Sequence, residues 1–244
     1  MRIILNEVGK DNLLALANSD GDCYFHSPLR ERKVVLAMNN PYLDAFLKVR
    51  AEHEGGYFWK CLHKPECDIF MLRHKLVRKY AWAVPTDEAI NKIASFGKII
   101  EIGAGTGYWA SLIAAAGAEV LAFDIAPAGN GVWVNEYKHT KSYFPMHQGT
   151  EEWAEVFPEY TLMLCWPPYD SPMASNCLWD YKGKNIIYIG EWQGCTADST
   201  FFDQIEDTFF RGEQMLSTKW RIAEQVFLPN WMGIHDSMYI LERK

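Results

Sequence analysis

The segment EIGAGTGYWA, Glu101 to Ala110, constrains the fold of this chain more than any other. It follows a short aliphatic run, KIIEI (98–102), and leads into an Ala-, Leu- and Ile-rich stretch, 106–116, that Gly117 ends. A buried strand, a glycine turn and a helix in that order open a parallel strand–helix–strand unit. Gly103, Gly105 and Gly107 allow backbone conformations that a Cβ disfavours and let the chain approach a ligand closely. The spacing departs from the dinucleotide pattern G-x-G-x-x-G. Here the third glycine comes one place early, and Tyr108 fills the later position. Glu101 sets a carboxylate two residues before Gly103, where it opposes a pyrophosphate and suits a ligand with an ammonium group. Three glycines with this carboxylate exceed what a simple strand-to-helix turn requires.

The alternation of strand and helix continues beyond the glycine segment. EVLAFD (119–124) reads as a second strand, and YTLMLCW (160–166) and NIIYIGE (185–191) as two more with a helix between them. IAEQVFL (222–228) and SMYILER (237–243) close the chain as two strands near in sequence, which suggests a hairpin at the end of the sheet. Within 125–159, SYFPMHQG holds at most an edge or irregular strand near 143–148, because Pro145 has no N–H to give to a ladder. The expected class is α/β, a mostly parallel sheet with helices on both faces.

Residues 1–80 show no such unit. ERKVVLAMNNPYLDAFLKVRAEHEGGYFWKCL reads as two helical segments broken near Asn40-Pro41. DIFMLRHKLVRKYAWA reads as a further helix with Ile69, Leu72, Leu76 and Val77 on one face. The expected organisation is a mostly helical extension or cap over 1–80 and an α/β ligand-binding domain over 81–244.

Charge narrows the partners. Residues 1–97 carry 14 Lys and Arg against 12 Asp and Glu, and residues 98–244 carry 10 against 19, for a net charge of −7 overall. So acidic a second part opposes a phosphate backbone and argues against a nucleic-acid duplex as partner. The basic run RHKLVRKY (73–80) reads as a solvated helix face. MRIILNEVGKDNLL has no long apolar segment, and no run of 18 apolar residues occurs, so neither secretion nor a membrane span is expected. Six cysteines then read as reduced thiols of a cytoplasmic protein. His53, Cys61, His63 and Cys67 lack a paired Cys-x-x-Cys spacing, and no metal is expected.

Glycine loop, Glu101 and the strand-ending Asp124, taken together, resemble motif I and its surroundings in the class I S-adenosylmethionine-dependent methyltransferases. The resemblance runs over roughly residues 80–244. It implies a Rossmann-like sheet with an antiparallel final strand, and S-adenosylmethionine as cofactor. It also implies cofactor-binding roles for Glu101, Gly103, Gly105, Gly107, Asp124 and Ile125. In that scheme Glu101 orients the methionine end, and Asp124 accepts from both ribose hydroxyls, which a carboxylate does well. Ile125 packs near the adenine. Gln148-Gly149-Thr150-Glu151 falls where the family often has an adenine-binding acid, although the usual Gly-Asp is absent. Tyr80 and Trp82 precede motif I and either cover the cofactor or belong to the core.

A strand ending in TLMLCWPPYD (161–170) brings the second motif. In amino-group methyltransferases of this superfamily the loop reads Asn- or Asp-Pro-Pro-Tyr, and its polar side chain accepts from the substrate NH₂. Trp166 stands at that position here. Indole offers a donor and no acceptor, but it stacks on planar groups and attracts cations. Pro167 and Pro168 fix their own φ and bias the preceding residues to extended backbone, so the loop is stiff and leaves the Trp166 and Pro167 carbonyls as the expected acceptors. Trp166 as a core filler and the prolines as a strand terminator remain the plainer alternative.

Candidate catalytic residues are therefore Trp166, Pro167, Tyr169 and Glu191, the last at the end of a strand and before a glycine-containing loop. Asp170, Asp198, His147 and His235 are further polar candidates. Cys195 has no evident histidine partner. Three functions compete: methyl transfer to a small or planar acceptor, amino-group methylation of a nucleic-acid base or protein glutamine, and non-catalytic binding of cofactor or partner.

Overall fold

The computed structural model describes residues 39–53, 69–128, 140–205, 209–210, 213–214 and 220–244. Its helices are α1 (Pro41–His53), α2 (Ile69–Lys79), α3 (Asp87–Ala94), α4 (Tyr108–Ala115), α5 (Trp153–Val156), α6 (Met173–Asp180) and α7 (Ser199–Asp203). Its strands are β1 (Lys98–Ile102), β2 (Glu119–Asp124), β3 (His147–Gln148), β4 (Thr161–Cys165), β5 (Asn185–Glu191), β6 (Phe209–Phe210), β7 (Glu213–Gln214), β8 (Trp220–Phe227) and β9 (Asp236–Arg243). The first of the two segments expected around Asn40-Pro41, and the candidate zinc set other than the backbone of His53, lie outside the described residues.

Seven strands form one sheet in the order β3-β2-β1-β4-β5-β9-β8. The first five run parallel, and β9 runs antiparallel to both β5 and β8. This is the Rossmann-like, mostly parallel sheet with antiparallel strands at its end that the sequence pattern implies. The last strand in sequence is not the edge: β9 inserts beside β5, and β8 takes the outside with a register shift between Ile222 and Glu224. A separate antiparallel pair, β6 and β7, lies outside the sheet.

Strand periodicity divides the core. Ile99 of β1 and Ile187 and Ile189 of β5 pack with α1, α3 and α4. Ile100 and Ile102 of β1 and Ile186 and Tyr188 of β5 pack with α6 and α7 on the other face. Alternate residues of a strand point to opposite faces, so short uninterrupted apolar runs such as KIIEI and NIIYIGE are what a sheet covered on both faces requires. β3 has only two residues, in keeping with the expected weakness around Pro145.

Two local rules set the ends of helices. Thr86 caps α3, its Oγ1 accepting from Ala89 N at 3.1 Å, with Asp87 and Glu88 following in the first turn. α4 starts at Tyr108, two residues later than the sequence pattern suggests. Gly107 sits at φ +72°, outside helical space, and Thr106 turns its hydroxyl to the Tyr80 carbonyl.

Asn40 opens α1, its Oδ1 accepting from Leu43 N at 3.2 Å, and Pro41 takes the first helical position. Asn40 Nδ2 donates to Pro85 O at 2.9 Å, and Tyr108 Oη donates to Asn40 Oδ1 at 2.9 Å. Tyr108 Oη also accepts from Tyr42 N at 3.2 Å, while Trp231 Nε1 donates to Tyr42 Oη at 3.1 Å. Tyr42 and Phe46 are fully or nearly fully buried in the same cluster as Ile99 and Trp231. The start of α1 is thus bonded into the helical layer over β1.

Removal of the Tyr108 hydroxyl leaves a buried N–H without its acceptor. Tyr108→Phe should lower stability by about 1–2 kcal/mol in urea denaturation, with the slope unchanged. An unchanged midpoint would show that this junction contributes nothing.

Candidate functional site

Strand order reverses at β1: β2 and β3 lie to one side, β4 and β5 to the other. In open α/β sheets ligands bind beyond the carboxyl ends at such a point. A cavity of about 320 Å³ lies there, bordered by Glu101, Gly103, Gly105, Asp124 and Ile125 from the ends of β1 and β2. Gly149 to Glu151 border it after β3, Cys165 to Pro168 at and beyond the end of β4, and Trp82 and Met173 are among the remaining lining residues.

The glycines are needed for their backbone. Gly103 has φ +79°, and a Cβ there would stand 2.8 Å from Met173 Cε. At Gly107 a Cβ would meet the Phe144 backbone N at 3.2 Å. Gly105, at φ +58°, gives its N–H to Asp124 Oδ2 at 2.8 Å. Asp124 Oδ1 accepts from Ala126 N at 2.8 Å. One carboxylate thereby fixes the glycine loop after β1 and the turn after β2. Burial raises the Asp124 pKa, and the two backbone N–H groups work against that rise.

Glu101 is 1% exposed. Its Oε2 is buried and has no hydrogen-bond partner, an arrangement that proteins usually avoid. Burial above all, with the Asp124 charge adding to it, pushes its pKa up to about 8. The Ala110 backbone in the first turn of α4 opposes the shift. A cation placed at Oε2 would reverse the balance and ionise the group.

Trp166 is half-buried at the end of β4, with a left-handed φ of +52° that costs a bulky residue energy. Three contacts hold it. Trp166 N donates to Ile189 O at 2.8 Å, and Nε1 donates to Asp236 Oδ1 at 2.8 Å. Its ring stacks on Trp82 at 4.9 Å between centroids and 13° between planes. Asp236 is 1% exposed, and burial pushes its pKa up to about 7 despite the indole donor. The indole N–H is therefore committed away from the cavity, and the ring is what Trp166 offers to it.

The other candidates divide. Pro167 and Pro168 border the cavity, but the Pro167 carbonyl, expected as an acceptor for substrate, accepts from Ala197 N at 3.1 Å. Tyr169 is 68% exposed and does not border the cavity. Glu191 is buried, with Oε2 accepting from Cys195 N at 3.2 Å and Oε1 from His235 N at 2.9 Å. It ties the turn after β5 to the β8–β9 connection and stands outside the cavity wall. Asp198 accepts from Ser175 Oγ at 3.0 Å, Asp170 donates its N–H to Ala197 O at 3.0 Å, and His147 lies exposed on the sheet edge. Of the two aromatic residues before motif I, Trp82 borders the cavity, and Tyr80 stacks on Tyr42 in the core.

Asp236, on Trp166 Nε1, Cys165, in the cavity lining, and Arg73, over the Trp82 ring, also belong to this region, and no sequence motif marks them. No group of three or more His, Cys, Asp or Glu converges as a metal site among the described residues, and no helix among them is long and apolar enough to cross a membrane.

No protein-family model matches the chain, and no curated protein matches it in sequence. Similar solved structures include magnesium protoporphyrin IX methyltransferase from Synechocystis with bound S-adenosylmethionine. It shares 12% identity over 82% of this chain and 98% of that one, with a TM-score of 0.41. The mitomycin 7-O-methyltransferase MmcR shares 11% over 86% and 74%, with a TM-score of 0.37. The 23S rRNA methyltransferase ErmE shares 14% over 66% and 69%, with a TM-score of 0.36.

Glu101 generates a pH prediction for the ligand-free protein. Unfolded, its pKa is 4.5; folded, it is about 8. Between these values the unfolded chain has lost the proton and the native protein still holds it, so stability falls as pH rises, by about 1.4 kcal/mol per unit at most, and levels off above 8. Glu101→Gln removes this pH dependence. The melting temperature of the variant should gain on the parent between about pH 5 and about pH 8; a constant difference would place the raised pKa in error.

Proposed function

We propose that this protein is an S-adenosylmethionine-dependent methyltransferase acting on a small or planar acceptor. The observation that carries the reading is the buried, partnerless Oε2 of Glu101 at the border of a cavity at the switch point of the sheet. A buried carboxylate oxygen without a donor is costly unless a ligand supplies one, and an ammonium group supplies three. The surrounding residues fit the rest of the same molecule. Asp124 ends β2 beside the glycine loop; each of its oxygens takes one backbone N–H and keeps a lone pair with which to accept from a vicinal hydroxyl. Ile125, 52% exposed, offers an apolar face to a purine, and Thr150 and Glu151 border the same end.

Bound there, S-adenosylmethionine supplies an electrophilic methyl group on a sulfonium. The chain's own work is then positioning. Backbone at Gly103 and Gly105 leaves room for close approach, because a side chain at either is strained. Trp82 and Trp166 form a stacked aromatic wall that excludes water and presents a flat surface to an acceptor. Trp166 is locked by Asp236, so the wall is rigid before any acceptor arrives. Tyr169 and Glu191 have no part in it as the cavity stands.

Amino-group methylation of a base or glutamine is the second reading, and two contacts oppose it. The indole N–H of Trp166 is given to Asp236, and the Pro167 carbonyl takes Ala197 N. The loop lacks the side-chain acceptor that, paired with a carbonyl, grips an NH₂. Cofactor binding without catalysis is the third reading.

Calorimetric titration with S-adenosylmethionine and S-adenosylhomocysteine tests the proposal. Both should bind. Glu101→Gln should weaken them by about 30-fold, the equivalent of about 2 kcal/mol for a lost charge-assisted bond. Absence of binding by the parent protein to both would overturn it. Label transferred from the cofactor into RNA or protein would favour the second reading over the first.

A further inference from the structure

A second recognition element borders the aromatic wall. Arg73 of α2 carries its guanidinium carbon 5.4 Å from the Trp82 ring centroid and 5.7 Å from that of Trp166. A cation–π contact engages the charge of a guanidinium, and its N–H groups still require acceptors. Arg73 Nε is buried and has none. No carboxylate of the described residues lies within ion-pair distance of Arg73. Asp236 is near enough for its charge to be felt at Arg73, but its Oδ1 accepts from the Trp166 indole. Glu191, the other buried acid on that side, gives both oxygens to backbone N–H groups. An arginine within cation–π range of two rings, with a buried Nε–H lacking an acceptor, is a donor group suited to an anion.

Charge around it points the same way. α2 carries Arg73, Lys75, Arg78 and Lys79 and no acidic residue. In a chain of net charge −7 these cations make the helix that carries Arg73 locally positive, and such a field draws in ligands of opposite sign.

We propose that the acceptor is an aromatic anion whose carboxylate pairs with the Arg73 guanidinium while its ring lies against the Trp82–Trp166 wall. The assignment rests on the reading that the neighbouring cavity holds S-adenosylmethionine, and it narrows the substrate class of that same site. A neutral planar acceptor would leave the Arg73 edge without a partner. A cationic one would meet Arg73 with like charge.

The test uses the full-length protein and two variants, Arg73→Gln and Arg73→Lys. S-Adenosylhomocysteine is titrated first, by calorimetry; the parent and both variants should bind it alike, since Arg73 is not part of the cofactor cavity. With that ligand saturating, tryptophan fluorescence is followed while benzoate, naphthalene-2-carboxylate and quinoline-2-carboxylate, and the amide of each, are added. At least one carboxylate should bind the parent protein tenfold or more tightly than its amide. That ratio should fall to about one in Arg73→Gln and to an intermediate value in Arg73→Lys, which keeps the charge and loses the fork. Equal binding of acid and amide in every pair, no binding of any carboxylate, or a preference that survives both substitutions would overturn the proposal. Failure of S-adenosylhomocysteine to bind the parent would instead strike at the cofactor reading. A carboxylate preference lost on Arg73 substitution would then still mark an anion site.

Discussion

The Asp124 carboxylate holds together the loops at the carboxyl end of the sheet. It accepts from Gly105 N and from Ala126 N, both at 2.8 Å, and so binds the loop after β1 to the turn after β2. Parallel pairing of β1 with β2 brings those two ends side by side, from Lys98 opposite Glu119 to Ile102 opposite Phe123. β4 pairs with the other edge of β1 and delivers Cys165 and Trp166 to the same end. With the loop fixed, Glu101 is enclosed, and its Oε2 is left without a donor. The cost of that burial is the physical origin of the ligand reading: the protein carries a destabilising group at the place where a cationic ligand would relieve it.

Much of this was legible in the sequence because it is local. Gly103, Gly105 and Gly107 act through backbone conformations that only glycine adopts easily, so their spacing announces the turn directly. β1, β2, β4 and β5 are buried on both faces and therefore appear as unbroken apolar runs, and their bounds differ from the sequence reading by a residue or so. Glu101 and Asp124 are tied to strand ends, and a strand end is predictable. The order of β8 and β9 was less legible. Two strands close in sequence announce a hairpin, but which of them reaches β5 depends on long-range packing of Ile240 and Leu241 against the core.

What the sequence concealed is side-chain pairing across distance. Trp82, Trp166, Asp236 and Arg73 come from four separate segments, and no spacing rule connects them. Glu191 illustrates the opposite difficulty. A carboxylate at the end of a parallel strand is a fair candidate for catalysis, yet at this position backbone N–H groups of Cys195 and His235 claim it for structure. Pro167 likewise offers a carbonyl on paper and spends it on Ala197. Trp166 is held by a set of long-range contacts: a buried acid takes its indole N–H, a second tryptophan stacks on its ring, and an arginine lies over both rings.

A crystal structure with S-adenosylhomocysteine tests the central claim most directly. The amino group of the ligand should lie within hydrogen-bonding distance of Glu101 Oε2, the ribose against Asp124, and the sulfur facing the Trp82–Trp166 wall. A ligand bound elsewhere, or one in this cavity that leaves Glu101 Oε2 without a donor, would contradict it.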